Sequence, residues 1–164
     1  QLARVASDGG RVLTLGAGRS AAIADELAGE LLGRPVSALC LNADAIALGS
    51  LAADYGAEHA LAQELSAHGR HGDALVAYVA GTPSEPVVTA LRTANDLGMS
   101  TYAIAGENAT GVRELADDTI ALPAASAHAL QELQLVTVHL LSAALDRELA
   151  LSGRPTRSRA LVHG

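Results

Sequence analysis

The stretch RVLTLGAGRSAAIADELAGELLGR, residues 11–34, decides the fold of this chain. Residues 11–15 predict a short β-strand. The next five residues, GAGRS at 16–20, form a turn in which the glycines allow tight backbone geometry. Residues 21–32 are rich in Ala, Glu and Leu, and three apolar residues recur there at helical spacing: Ile23, Leu27 and Leu31. A strand, a glycine turn and a helix form half of a βαβ unit, whose first helical N–H groups can hold an anion.

The turn itself permits three interpretations. Gly16-x-Gly18-x-x-Ala21 satisfies the dinucleotide-binding fingerprint, and Asp44 stands near the position of the acid that this fingerprint requires. The same residues also match the GxGxS turn of sugar isomerase (SIS) domains, in which the serine, here Ser20, helps to hold a sugar phosphate. In the third interpretation the glycines serve turn geometry alone. The turn by itself does not decide between them.

Composition narrows the function classes. The chain has 164 residues, 49% of them hydrophobic, which suits one domain with a sizeable core. A formal charge of −7 argues against general nucleic-acid binding. The single cysteine, Cys40, cannot form an internal disulfide, so a reducing cytoplasm is expected. No apolar run approaches the roughly 18 residues of a membrane span, and no signal peptide opens the sequence.

Further along, strand-like and helix-like segments alternate. Five strands are predicted at 12–15, 37–41, 75–79, 101–105 and 119–121, with helices between them and a long helix over 126–151. Such alternation predicts an α/β fold, a three-layer αβα sandwich with a five-stranded parallel sheet. Residues 1–151 are expected to form one domain, starting with the end of a truncated helix because the chain begins at Gln1. Residues 152–164 are expected to be a basic flexible tail.

Several ordered motifs resemble one family. They are Gly16-x-Gly18-x-Ser20-Ala21, Glu30-Leu31-x-Gly33-Arg34, Asp54-Tyr55-Gly56, Gly72-Asp73-x-Leu75, Gly98-Met99 and Gln131-Glu132 with His139 eight residues after Gln131. In order and spacing they resemble the bacterial phosphoheptose isomerases over residues 9 to about 150. The resemblance implies a flavodoxin-like SIS fold, usually assembled as a homotetramer or a dimer with sites at subunit contacts.

The same resemblance implies a reaction and a set of residues. These enzymes convert the ketose sedoheptulose 7-phosphate into an aldose phosphate, D-glycero-D-manno-heptose 7-phosphate, through an enediol. Glu30 would be the base and His139 the acid, and both side chains can titrate near neutral pH. The residues implied in substrate binding are Gly18, Ser20, Asp54, Thr82, Ser84 and Gln131. A divalent metal, often zinc, would be held by Glu26, Glu30, Gln131 and His139, and no nucleotide cofactor is expected.

The departures from the family pattern predict weaker binding of the substrate phosphate. The Ser/Thr-rich loop after the third strand is here VAGTPS at 79–84, in which only Ser84 matches and Thr82 adds a nearby hydroxyl. Glu85 directly follows this loop, and a carboxylate beside a phosphate site is unfavourable. Ala17 replaces an asparagine and Glu107 a lysine. Glu26 replaces a histidine in the metal set, which makes that set richer in oxygen.

Two functions from different classes remain open at this stage. One is the aldose–ketose isomerase, acting on sedoheptulose 7-phosphate or a related sugar phosphate. The other is a non-catalytic SIS module that binds a sugar phosphate or a protein partner. Non-catalytic SIS adaptors lack the glutamate and the histidine but keep the phosphate-binding serines. The isomerase is preferred because this chain shows the reverse pattern.

Overall fold

The computed structural model describes residues 1–81 and 84–151 of the chain. Its strands are β1 (Val12–Gly16), β2 (Ala38–Cys40), β3 (Ala74–Val79), β4 (Ser100–Gly106) and β5 (Asp118–Leu122). Its helices are α1 (Leu2–Ser7), α2 (Ser20–Leu32), α3 (Ala45–Tyr55), α4 (Ala57–His68), α5 (Glu85–Asp96) and α6 (Ala127–Leu151), with a 3₁₀ turn at Thr110–Val112. All five predicted strands and the long last helix are therefore confirmed, with ends shifted by at most one residue.

The five strands form one sheet in the order β2-β1-β3-β4-β5, and every neighbouring pair is parallel. The two central strands β1 and β3 are buried along their whole length. Continuous apolar strands of this kind are typical of parallel sheets with helices on both faces. The predicted α/β class with a five-stranded parallel sheet is confirmed.

Alternate strand residues supply two cores, one on each face of the sheet. On one face, α4 and α5 pack on residues such as Leu13, Leu75 and Ala103. On the other, α2 and α6 pack on residues such as Val12, Val76 and Ile104. Most of the buried side chains are Ala, Leu and Val, which lets the helices approach the sheet closely.

Helix α3 is the exception to this packing. Its sequence is almost wholly apolar, yet none of its residues is buried, and Ile46 is 84% exposed. The residue before it, Asp44, is its N-cap, and the Asp44 carboxylate accepts hydrogen bonds from the N–H groups of Ile46 and Ala47. Asp44, the candidate acid of the dinucleotide interpretation, is thus used as a helix cap. Within the described residues, no helix is both long and apolar enough to cross a bilayer.

The predicted tail at 152–164 and the loop residues Thr82 and Pro83 lie outside the described residues.

Candidate active site

The strand order changes direction between β1 and β3. The chain leaves β1 toward β2 on one side, and leaves β3 toward β4 and β5 on the other. The carboxyl ends of β1 and β3 are adjacent, with Gly16 in register with Tyr78. Open α/β sheets bind ligands in the crevice at such a switch point. The amino ends of α2 and α5, which follow these two strands, both carry the positive end of a helix dipole.

The glycine turn at this edge has one position that only glycine fits. A Cβ on Gly16 would lie 2.3 Å from the carbonyl oxygen of Ser20, because the chain doubles back against the start of α2. Gly18 has a φ of +58°, in the left-handed region. Asn42, two residues beyond β2, accepts a hydrogen bond from Gly16 N at 2.9 Å and donates one to Gly16 O at 3.1 Å. The Asn42 side chain therefore holds the start of the turn through both backbone polar groups of Gly16.

Ser20 is the first residue of α2 and is only 1% exposed. Its Oγ donates a hydrogen bond of 3.0 Å to the side-chain oxygen of Gln134, on α6. The Gln134 amide in turn donates to the carbonyl oxygens of Val79 and Ile104, at 3.1 Å each. The turn that was predicted to hold an anion is thereby joined to α6 and to the ends of β3 and β4.

Helices α2 and α6 run side by side in the same direction, and two contacts mark their facing edges. At the start, Arg19 Nη1 lies 3.0 Å from His128 Nε2. At the end, Arg34 donates to Asp146. His128 and Asp146 are 18 residues apart on α6, five full turns at about 3.6 residues per turn, and so lie on one line along the helix.

His139 lies within about 20° of that line, 11 residues after His128 and seven before Asp146. Measured along the helices from the Arg19–His128 contact, His139 lies at the height of Glu30. Measured back from the Arg34–Asp146 contact, it lies at the height of residue 27. Glu26 and Glu30 both lie within about 20° of the edge of α2 that carries Arg19. The predicted base and acid thus border the same groove between α2 and α6. His139 is exposed and Glu30 is half-buried.

Arg34 provides a positive charge at the end of this groove that lies next to the C-terminus of α2. Its side chain is only 3% exposed and donates to the Glu30 carboxylate at 3.0 Å and to the Glu30 carbonyl. Burial alone would lower the pKa of Arg34, but its hydrogen bonds to Asp146 and Glu30 hold that pKa above its ordinary value. The guanidinium therefore stays a fixed cation beside the candidate base.

The remaining predicted site residues are spread over three elements. Gln131 is half-buried on α6, one turn before Gln134. Ser84 caps the start of α5 and is exposed. Asp54 is exposed near the end of α3. The structure does not bring Asp54 into contact with the groove through any hydrogen bond or ion pair among the described residues, and Thr82 lies outside them.

The side chains predicted to bind a metal are not gathered into one ligand cluster among the described residues. Within residues 1–81 and 84–151, no three His, Cys, Asp or Glu side chains come close enough together to hold a metal ion. Glu30 already shares its carboxylate with the Arg34 cation, which would compete with a metal for the same oxygens. Glu26 is exposed and stands one turn earlier on α2.

Two surface pockets lie away from this groove. An apolar pocket of about 300 Å³ lies among α1, α6 and the β4–β5 edge, with Tyr102, Ile120 and Leu141 in its lining. A wider polar groove of about 780 Å³ crosses the amino ends of the strands. No predicted site residue lines either of them, and parallel sheets bind ligands at the opposite end.

Three residues that organise the site were not predicted from the sequence. Asn42 and Asp146 act through contacts with residues 26 and 112 positions away in the chain, respectively, which no local pattern reveals. Gln134 did carry a signal, because it occupies a position that the apolar stripe of α6 marks as buried. A buried amide must find partners, so this position could have been singled out.

Comparison with known proteins agrees with this geometry. Residues 1–106 match the SIS domain family. The chain is 36% identical over 155 residues to the phosphoheptose isomerase of Streptomyces coelicolor, covering 91% of this chain and 67% of that protein. It is 33% identical to the enzyme of the same name from Helicobacter pylori, covering 86% of this chain and 77% of that protein.

Solved structures give the same result. The structure of a phosphoheptose isomerase from Francisella tularensis superposes with a TM-score of 0.84 at 27% identity, covering 89% of this chain and 80% of that one. One from Neisseria gonorrhoeae gives 0.82 at 26% identity, covering 89% and 81%. With a matching domain, relatives above 30% identity over most of their length and a shared fold, this chain belongs to the SIS domain family, in its phosphoheptose isomerase branch.

Proposed function

We propose that this protein is an aldose–ketose isomerase that converts sedoheptulose 7-phosphate, or a closely related ketose phosphate, into the aldose phosphate. The observation that carries the proposal is the placement of Glu30 and His139 on facing edges of α2 and α6, with His139 between the levels of residues 27 and 30 of α2. An isomerase of this type needs one group that removes a proton and a second that delivers one, on either side of a short carbon chain.

The two groups would divide the reaction between them. The Glu30 carboxylate takes the proton from C1 of the open-chain ketose, the electron pair of that C–H bond forms the C1–C2 double bond, and the C2 carbonyl oxygen takes up a proton from water to complete the enediol. His139 then delivers a proton to C2, while the O1 hydroxyl gives its proton to water and C1 becomes the aldehyde. The Arg34 guanidinium donates a hydrogen bond of 3.0 Å to the Glu30 carboxylate and so orients it.

The phosphate is expected at the carboxyl edge of the sheet. There the N–H groups at the starts of α2 and α5 and the hydroxyl of Ser84 provide hydrogen-bond donors. Gly18 lets the backbone of the turn approach the anion. Asp54, Thr82 and Gln131 stay predictions as substrate contacts. So does the divalent metal.

The protein is also proposed to act as a homo-oligomer, a dimer or a tetramer. The outer face of α6 presents Val136, 49% exposed, and Leu140, 64% exposed, close to His139. Together with the uncovered α3, these side chains give the molecule exposed apolar surface of the kind that marks protein–protein contacts. A second copy on α6 would cover it and close the groove that holds His139. A cytoplasmic location is supported by the single cysteine, Cys40, which is buried and has no second cysteine with which to form an internal disulfide.

The decisive assay is turnover of sedoheptulose 7-phosphate by the purified protein. We expect conversion by the wild type and a loss of about 10²-fold or more in Glu30→Gln. Glu58→Gln, at the start of α4 on the other face of the sheet, is the matched control and should keep full activity. Repeating the assay with a chelator and with added zinc tests the metal. Binding of the sugar phosphate without turnover would favour the non-catalytic module instead.

A further inference from the structure

Gln134 is a fully buried side chain, 0% exposed, in the middle of the sheet-facing side of α6. Every polar atom of its amide is used. The oxygen accepts from Ser20 Oγ at 3.0 Å, and the nitrogen donates to Val79 O and to Ile104 O, both at 3.1 Å. A buried amide with three partners is costly to disturb, because any partner left behind loses its hydrogen bond without gaining water.

The three partners of Gln134 belong to the three segments that build the carboxyl edge of the sheet. Ser20 starts α2 and closes the glycine turn. Val79 ends β3, directly before the loop that leads to Ser84 and α5. Ile104 lies near the end of β4. Gln134 thus connects α6, the helix that carries the proposed acid, to the start of α2. Through the end of β3, it also connects α6 to the segment that leads to α5.

We propose that Gln134 is the positioning residue of this active site, and that the hydroxyl proton of Ser20 belongs to Gln134 rather than to the substrate phosphate. Gln134 fixes the height of α6, and therefore of Gln131 and His139, relative to the phosphate-binding turn. Ser20 supports this anchor from within the core, where it is only 1% exposed. The inference rests on the proposed isomerase function and adds the device that sets the distance between phosphate and acid.

The geometry explains why this distance needs an anchor. His139 lies five residues beyond Gln134, about 7.5 Å farther along α6 at about 1.5 Å per residue. Without the amide, α6 is held near this edge by apolar contacts and by the exposed Arg19–His128 contact, which fix its position along its axis less firmly than a buried hydrogen bond does. A shift of about 1 Å at the reacting groups can cost about 10²-fold in rate.

The first test compares Gln134→Met with Thr14→Val. Methionine keeps the volume but removes all three hydrogen bonds. Thr14→Val removes a different buried bond, from Thr14 Oγ1 to Ala24 O at 2.8 Å, and does not involve α6. With sedoheptulose 7-phosphate, Gln134→Met should lose at least about tenfold in kcat with KM within about threefold of the wild type. Thr14→Val should keep both values. Equal kcat in Gln134→Met and the wild type, or equal losses in both variants, would overturn the proposal.

Amide hydrogen exchange provides a readout that does not depend on turnover. In Gln134→Met, protection should fall at residues 20–22 and 105–106, around the lost contacts, and stay unchanged there in Thr14→Val. If the wild type proves inactive, the proposed function fails, and this comparison still decides whether Gln134 anchors the edge. Unchanged protection in a well-folded Gln134→Met would refute the anchor.

Ser20→Ala decides the second half of the proposal, and also serves if Gln134→Met does not fold. If the Ser20 proton belongs to Gln134, the variant should bind inorganic phosphate, measured by calorimetry, within about twofold of the wild type. Its kcat should fall by up to about tenfold, as expected for one neutral hydrogen bond. A rise of about tenfold in both the phosphate dissociation constant and the substrate KM, with kcat unchanged, would make Ser20 a direct phosphate ligand and sink the proposal.

Discussion

Arg34 and Asp146 form a two-pronged ion pair between the end of α2 and the second half of α6, with Nε to Oδ1 at 2.8 Å and Nη2 to Oδ2 at 2.9 Å. The guanidinium is almost fully buried, whereas the carboxylate is 31% exposed. The pair lies about 10 Å along α6 from His139. Together with Gln134 at the other end, it fixes the two helices that border the proposed site.

The asymmetry in burial gives the first prediction. Asp146→Asn should lower the free energy of unfolding by about 1–3 kcal/mol, since it removes one of the two carboxylates that the buried Arg34 cation contacts among the described residues and leaves Glu30. Urea unfolding measures this. Asp8→Asn is the control, because the Arg4–Asp8 pair is exposed on both sides and should contribute less than about 0.5 kcal/mol. Equal effects of the two variants would contradict the structural role of Asp146.

The second prediction contrasts two glycines on either side of Ser20. Gly16→Ala should destabilise the protein by about 2 kcal/mol or more and weaken phosphate binding, because the new Cβ would press on the Ser20 carbonyl. Gly29→Ala, inside α2 with nothing within 4 Å of its Cβ position, should instead stabilise by about 0.5–1 kcal/mol. Thermal unfolding and phosphate calorimetry give both values. A tolerated Gly16→Ala would mean that the turn is looser than described.

The third prediction concerns alkaline pH. Tyr78 is fully buried, and this burial raises its pKa well above the ordinary value. The unfolded phenol loses its proton near pH 10, so stability should be complete below about pH 10 and fall above it, by about 1.4 kcal/mol per pH unit. Tyr78→Phe should remove most of this loss. The chain contains no lysine, so no amine side chain obscures the effect.

At neutral pH the same variant should be harmless. Tyr78 Oη has no partner of hydrogen-bond geometry among the described residues, although Thr137 lies close to it. Removing it should change stability by less than about 1 kcal/mol, in either direction. Tyr55→Phe, at a site more than half exposed, controls for the loss of a phenol elsewhere. Parallel pH dependences of the wild type and Tyr78→Phe would contradict this assignment.

The fold was predictable because its signals are local. Residues 12–15 and 75–79 are short apolar runs bounded by glycine or aspartate, and the stretch from Ser126 to Leu151 keeps its apolar residues through seven turns. The parallel order follows once strands and helices alternate. The site was only partly predictable. Glu30 and His139 came from motif resemblance, and that they border one groove depends on how α2 and α6 pack.

The supporting contacts could not be predicted, for a physical reason. The bonds of Asn42 to Gly16, of Gln134 to Ser20 and of Arg34 to Asp146 span 26 to 114 positions of sequence. Composition and periodicity report only which face of an element is apolar. They do not report which polar groups meet when two such faces pack.

The last prediction separates catalysis from stability at His139. Because its side chain is exposed in the groove, His139→Ala should leave the unfolding free energy within about 0.5 kcal/mol of the wild type. It should lower kcat for sedoheptulose 7-phosphate by about 10²-fold or more, with KM little changed, as expected for a lost proton donor. His128→Ala, on the same line of α6 but in contact with Arg19, should retain at least half the activity. Equal activities of the two histidine variants would remove His139 from the reaction.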